Sequence, residues 1–217
     1  LAWFKSLGIN SDKLRLRAHG GDELAHYSSA CYDVEYKFDF GWSELEGIAD
    51  RGTYDLSKHM EHSNKKLTYF DQANNEHITP AVVEASAGVD RAMLTVLADA
   101  FSVEEVNGET RNVLKLSPKI APVTVAVFPL MNKEGMPEVA QKIVDDLRSD
   151  FSSFYDAGGS IGKRYRRQDE IGTPYCVTID FETINDNCVT IRYRDSMDQE
   201  RININDLPQK LSSEIYN

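Results

Sequence analysis

Three stretches of this 217-residue chain carry residue types and spacings that could do chemistry. The first is Trp42-Ser43-Glu44-Leu45-Glu46-Gly47. On a regular strand, residues two apart share a face, which predicts Trp42, Glu44 and Glu46 on one side. Two carboxylates there repel unless a cation or a proton sits beside them. The pair reads as a solvated face, as a pocket for an ammonium group, or as a glycosidase-like acid pair, and nothing nearby supports sugar binding. The second stretch runs from Val82 to Arg91. An apolar strand carries Glu84 and Ser86 on one face, then turns at Gly88 into an amphipathic helix with Arg91 in its first turn. A cation there opposes the helix dipole, at a cost of a few tenths to about 1 kcal/mol. Arg91 is therefore either a surface residue or one held to stack on a ring or grip phosphates. The third is Lys163-Arg164-Tyr165-Arg166-Arg167, with Arg192, Arg194 and Arg201 on neighbouring strands. Cations around an aromatic form either a solvated loop or a patch that tracks phosphates.

Other candidates fall away on spacing. Gly158-Gly159-Ser160-Ile161-Gly162-Lys163 is one residue short of a phosphate loop. Arg164 stands where Ser or Thr must meet magnesium, and a helix, not a strand, is expected before it. His59 and His62 lack a third ligand of their own, so no metal site is expected. Cys31, Cys176 and Cys188 show no CxxC spacing and read as reduced, buried thiols of a cytosolic protein.

These residues need elements to hold them. Strands are expected at Lys13–Arg17, Cys31–Phe40 and Gly41–Ala49. A short helix capped by Asp55 should follow. A hairpin is expected from Leu67–Phe70 and Ile78–Val83 around a polar turn, then a helix from Val89 to Phe101 with an apolar stripe at Val89, Met93, Val96, Leu97 and Ala100. Residues 102–122 are polar and read as a linker. Beyond it come a strand at Val123–Leu130 and a helix from Pro137 through Phe154. Strands at Tyr175–Phe181, Cys188–Tyr193 and Arg201–Ile204 follow, and a last helix after Asp206. The fold class is α/β: an α+β portion with an antiparallel sheet over 1–117, then a mixed sheet flanked by helices over 118–217.

Composition is that of a folded protein, with 41% hydrophobic and 27% charged residues. No run approaches the roughly 20 apolar residues of a membrane span. The net charge of −11 argues against nucleic acid as a partner of the chain as a whole, so a local basic patch stands out. The first residue is Leu1, which suggests processing or a piece of something longer.

Taken in order, ACYDVEYKFDFGWSELEGIADR with YDLSKH, VVEASAGVDRAML, SPKIAPVTVAVFPL, GGSIGKRYRRQDEIGTPYCVTIDF and RYRDSMDQERI resemble the glycyl-tRNA synthetases of the class II, homodimeric single-chain type. Ala85 departs from the Pro usual in that family. The resemblance implies a catalytic portion carrying the third class II motif at 84–91, followed by an anticodon-binding domain. It implies that Glu44 receives the glycine ammonium and Ser86 lines the glycine pocket. Glu84 would stand beside the ATP and metal region, and Arg91 would hold the adenine end of ATP. It further implies ATP and Mg²⁺, tRNA(Gly) as partner, with tRNA contacts at Lys163, Arg164, Arg166, Arg167, Arg192, Arg194 and Arg201, a homodimer in the full-length enzyme, no membrane, and the cytoplasm. The first two class II motifs are not among these residues. The chain is thus expected to be a C-terminal part, inactive by itself and without catalytic residues of its own. The alternative is a non-catalytic nucleic-acid-binding relative, similar to the accessory subunit of the mitochondrial DNA polymerase.

Overall fold

The computed structural model describes residues 1–216. The chain forms two compact units, Leu1–Thr95 and the residues from Val96 onward. The expected division near 118 therefore moves upstream.

The first unit opens with helix α1 (Ala2–Ser6), strand β1 (Leu14–Ala18), strand β2 (Ala30–Phe38) and strand β3 (Gly41–Gly52). Helix α2 (Tyr54–Ser63), the short strands β4 (Tyr69–Asp71) and β5 (Glu76–Ile78), strand β6 (Val82–Ala87) and helix α3 (Val89–Ala100) follow. β1, β2, β3 and β6 form an antiparallel sheet in that order, while β4 and β5 make a separate hairpin. Val82 and Val83 thus belong to the sheet and not to the hairpin. Val34, Tyr36 and Phe38 of β2 are buried with Leu14 and Leu45. Asp55 lies inside the first turn of α2, where it pairs with Arg51, and the cap position is Thr53. The helical period read at Val89–Phe101 is there, although Val89, Met93 and Leu97 stay exposed.

In the second unit, strands β7 (Phe101–Val106) and β8 (Glu109–Leu114) form a hairpin over the residues expected to be a linker. Asn107 and Gly108, both at positive φ, make its turn. The remaining elements are β9 (Val125–Pro129), α4 (Met136–Leu147), β10 (Ser153–Tyr155), α5 (Ile161–Ile171), β11 (Tyr175–Ile179), α6 (Thr183–Asp186), β12 (Cys188–Tyr193), β13 (Gln199–Asn203) and α7 (Leu207–Tyr216). The sheet order is β10-β9-β11-β12-β13, parallel among the first three strands and antiparallel beyond. Val125, Val127, Val177, Ile179, Val189 and Ile191 face α4 and α7, while Ala126, Phe128 and Cys176 pack toward Ile161 and Tyr165 of α5. A sheet covered on both faces needs near-continuous apolar strands, which is what β9 and β11 are. Each fully buried Val or Ile contributes about 1.5–3 kcal/mol.

Two expectations fail here for identifiable reasons. The helix read through Phe154 ends at Leu147. Ser149, Asp150, Ser152 and Ser153 are poor helix formers. Ser152 instead gives its carbonyl to the N–H groups of Thr124 and Val125 at 2.8 and 3.2 Å, starting β10 beside β9. The basic run 163–167 is no loop but the middle of α5. That helix ends at Gly172, with φ +87°, where a Cβ would lie 2.7 Å from Leu116.

The hairpin is bolted to the sheet domain by a buried ion cluster. Arg111 on β8 and Asp169 on α5 are both 0% exposed. Arg111 Nε donates to Asp169 at 2.9 Å, its Nη1 to Glu104 at 2.6 Å and its Nη2 to the Arg194 carbonyl. Arg192 adds a second guanidinium on Asp169 at 2.9 Å. Removing one member strands the others without water. Arg111→Ala is expected to destabilise the second unit by about 3–5 kcal/mol in urea denaturation, and a loss near that of a surface pair, under about 1 kcal/mol, would contradict the clamp.

Candidate functional site

The polar face of the four-stranded sheet assembles around a floor with almost no side chains. Gly47 stands opposite Asp33 on β2 and opposite Ser86 on β6. Ala49 stands between Cys31 and Glu84 in the same way. Directly opposed residues of an antiparallel pair project to one face, so Asp33, Ser86, Cys31 and Glu84 surround a strip of Gly and Ala.

Glu44 joins this face only because β3 is irregular. Glu46 lies opposite Val34, and Glu44 lies opposite Glu35, so Leu45 is an extra, unpaired residue. Such a bulge shifts the alternation by one residue. Glu44 follows Glu35 onto the face of Asp33 and Gly47, while Glu46 goes with Val34 to the other face. The expectation that Glu44 and Glu46 share a side is thereby corrected, and Trp42 remains with Glu44. The side chains agree: a Cβ on Gly47 would lie 3.5 Å from Glu44 Oε1 and 3.8 Å from Asp33 Oδ1. Trp42 carries the Arg15 guanidinium over its ring at 4.2 Å, and Arg15 pairs with Glu35.

Arg91 closes one end. Its Nη1 donates to the backbone carbonyl of Glu44 at 2.7 Å, tying the first turn of α3 to the bulge. This explains why a cation tolerates a helix N-terminus. Arg51 closes the other end. It donates twice to Asp55, at 2.6 and 2.8 Å, and once to Glu84 at 2.7 Å, and stacks on Tyr27 at 4.0 Å. Hydrogen bonding from Arg51 holds the Asp55 carboxyl below its ordinary range. Glu84 keeps its side chain 46% exposed, with Arg51 on one oxygen.

The basic run of the second unit divides sharply. Arg164 is buried and donates to the carbonyls of Gly159 and Pro129. Arg192 is buried on Asp169 and lies over the Tyr165 ring at 4.8 Å. Arg194 is buried with its Nη1 on the Gly172 carbonyl at 2.8 Å. These three were expected to meet RNA, and the structure uses them to hold α5, β12 and the hairpin together. Arg201 is paired with Asp180, Asp186 and Glu182. Arg167 is paired with Asp156. Among the described residues Arg166 pairs only with Glu109, at 3.9 Å, and Lys163 is exposed on the first turn of α5.

Comparison with known proteins bears on the family of the chain. Residues 124–214 match the family model described as an anticodon binding domain. The glycine–tRNA ligase of Borrelia hermsii is 52% identical over 214 residues, 97% of this chain and 48% of that protein. The ligase of Caldanaerobacter subterraneus subsp. tengcongensis is 54% identical over 213 residues, 98% of this chain and 46% of its own length. That of Treponema denticola is 47% identical over 222 residues, 100% of this chain and 49% of its own. The chain belongs to the glycyl-tRNA synthetase family. It spans about half the length of the relatives it matches.

Within that family frame, Glu44, Ser86 and Arg91 come together around Gly47, and Glu84 stands one step along β6. Sequence reasoning missed Arg51, Asp33 and Gly47. A charged residue next to a Gly at the end of a strand, four before Asp55, was the available signal for Arg51.

The Arg51–Asp55 clamp makes a pH prediction. A carboxyl whose folded pKa is depressed stabilises above its unfolded pKa, about 3.9 for Asp, and loses that contribution as pH falls through the folded value. Thermal melts should show Asp55→Asn losing stability near neutral pH and showing a shallower acid limb than the parent. Parallel acid limbs would contradict the clamp.

Proposed function

We propose that this chain supplies the glycine-binding face and the anticodon-reading unit of a glycine–tRNA ligase. The carrying observation is the side-chain-free floor at Gly47 with Glu44 and Asp33 beside it and Ser86 across it. Glycine offers no side chain to grip, so a site selects it through its charged ends and by leaving no room for a methyl group. Glu44 takes the ammonium, with Asp33 adding negative charge behind it. Ser86 lines the opposite wall.

The reaction of such a ligase has two steps. The glycine carboxylate attacks the α-phosphate of ATP, giving glycyl-adenylate and pyrophosphate. A terminal ribose hydroxyl of tRNA(Gly) then takes the glycyl group and releases AMP. Arg91, with one nitrogen on the Glu44 carbonyl, offers its planar guanidinium to the adenine of ATP, which couples the nucleotide to the strand that holds glycine. Mg²⁺, when bound, neutralises charge on the phosphates. Glu84, exposed and steadied from one side by Arg51, is the carboxylate suited to hold it. Lys163 and Arg166 of α5 are the cations left for tRNA phosphates, with Arg167 beside them on Asp156. Dimer formation is a property of the whole ligase. Among the described residues no helix is long and apolar enough to cross a membrane.

In a full-length ligase carrying this sequence, Glu44→Gln should raise the KM for glycine about 10- to 100-fold, the worth of a hydrogen bond to a charged group. The KM for ATP should hold. Steady-state pyrophosphate exchange measures both, and an unchanged glycine KM would overturn the assignment.

A further inference from the structure

The polar face of the first unit holds a second group of side chains, which meets the glycine-binding group at Asp33. His19 follows β1 directly, and its N–H donates to the Cys31 carbonyl at 2.9 Å. That bond continues the β1–β2 ladder by one rung and sets His19 opposite Cys31. Asp33, two residues on, shares their face. His19 Nε2 and Asp33 Oδ2 are 2.7 Å apart. A ring nitrogen of His19, the Cys31 Sγ and a carboxylate oxygen of Asp33 all lie within 4.8 Å of one another. Asp33 is buried, and His19 and Cys31 are half-buried.

We propose that His19, Cys31 and Asp33 form a binding site for a borderline-soft divalent cation, Zn²⁺ foremost, with water as the fourth ligand. Thiolate and imidazole donors select zinc over magnesium or calcium. Metal–ligand bonds of about 2.0–2.3 Å set tetrahedral ligand atoms about 3.3–3.8 Å apart. The His19–Asp33 hydrogen bond therefore opens by about 0.6 Å while Sγ closes in by up to about 1 Å. Without a cation, burial and then the carboxylates of Asp33 and Glu44 push the Cys31 thiol up, so it is protonated. Zn²⁺ displaces that proton to solvent, and His19 binds as neutral imidazole. The Cys31 thiolate and the Asp33 carboxylate then balance the two charges of the ion. Arg17 reaches Asp33 only at 3.6 Å and is hydrogen-bonded to Glu23, so it can yield Asp33 to the ion. The bound ion fastens the end of β1 to β2. The site shares Asp33 with the glycine reading, and its titration with metal alone is read without glycine or ATP.

The test is titration of the reduced 217-residue chain with Co²⁺, followed by absorbance. One equivalent should produce a thiolate-to-cobalt charge-transfer band, release one proton, and be displaced by Zn²⁺. The band should be lost in Cys31→Ser and kept in Cys188→Ser, and His19→Ala should weaken Co²⁺ binding by more than about tenfold. Circular dichroism checks that each variant is folded. The parent titration decides even if a variant fails to fold. A folded parent that gives no thiolate band, or a band that persists in Cys31→Ser, would overturn the site.

Discussion

Leu45 is one residue more than the β2 ladder can pair, and the first unit's chemistry depends on where that surplus sits. Upstream of the bulge, Trp42 and Glu44 project to the polar face. Downstream, Gly47 and Ala49 do. Were the strand regular, Glu44 would share its face with Glu46, and Gly47 would lie opposite to both. One inserted residue thus brings a carboxylate over a bare backbone strip. Bulges cost local pairing, and they recur where a side chain must be re-aimed. Arg91 binds the Glu44 carbonyl at this point, so the start of α3 and the bulge fix one another.

The second unit rests on a different constraint. Asp169 is a fully buried carboxylate that receives Arg111 and Arg192. A lone charge there would be expensive, whereas two guanidiniums from different strands satisfy it and in doing so join hairpin to sheet. The cations of this unit are therefore of two kinds. Arg111, Arg164, Arg192 and Arg194 are structural. On α5, Lys163 is exposed and Arg166 is half-buried with Glu109 at 3.9 Å. The net charge of −11 describes the whole chain and leaves room for such a local cluster of cations.

Much of the fold was legible in residue patterns. The alternation in β1, the continuous apolar runs of β9 and β11, and the period of α3 all appear as elements. The family strings also led to Glu44, Ser86, Glu84 and Arg91: the sheet register sets Glu44, Ser86 and Glu84 on the face of Gly47, and a hydrogen bond to the Glu44 carbonyl brings Arg91 to it. What could not be read was set by tertiary partners. A bulge leaves the composition of β3 unchanged. The spacing of Val139, Ile143, Leu147, Phe151 and Phe154 fits a helix, yet the chain leaves it at Leu147 and pairs β10 with the edge of β9 that β11 leaves open. The run Lys163–Arg167 reads as a solvated loop or a patch that tracks phosphates until α5 turns Arg164 inward. Residues 102–122 read as a linker because their apolar positions are few, and the charge on Arg111 that binds the hairpin to Asp169 carries no sign of burial.

The central claim is that the bare floor at Gly47 is where glycine sits. Gly47→Ala tests it most directly, because the added Cβ would meet Glu44 and Asp33 at 3.5 and 3.8 Å, ordinary contact distances that the fold tolerates. In a full-length ligase carrying this sequence, kcat/KM for glycine should fall by about 10- to 200-fold, the range one methyl group commands in a close-fitting pocket. Thermal stability and the KM for ATP should be preserved. A folded Gly47→Ala enzyme with undiminished kcat/KM for glycine would contradict the account.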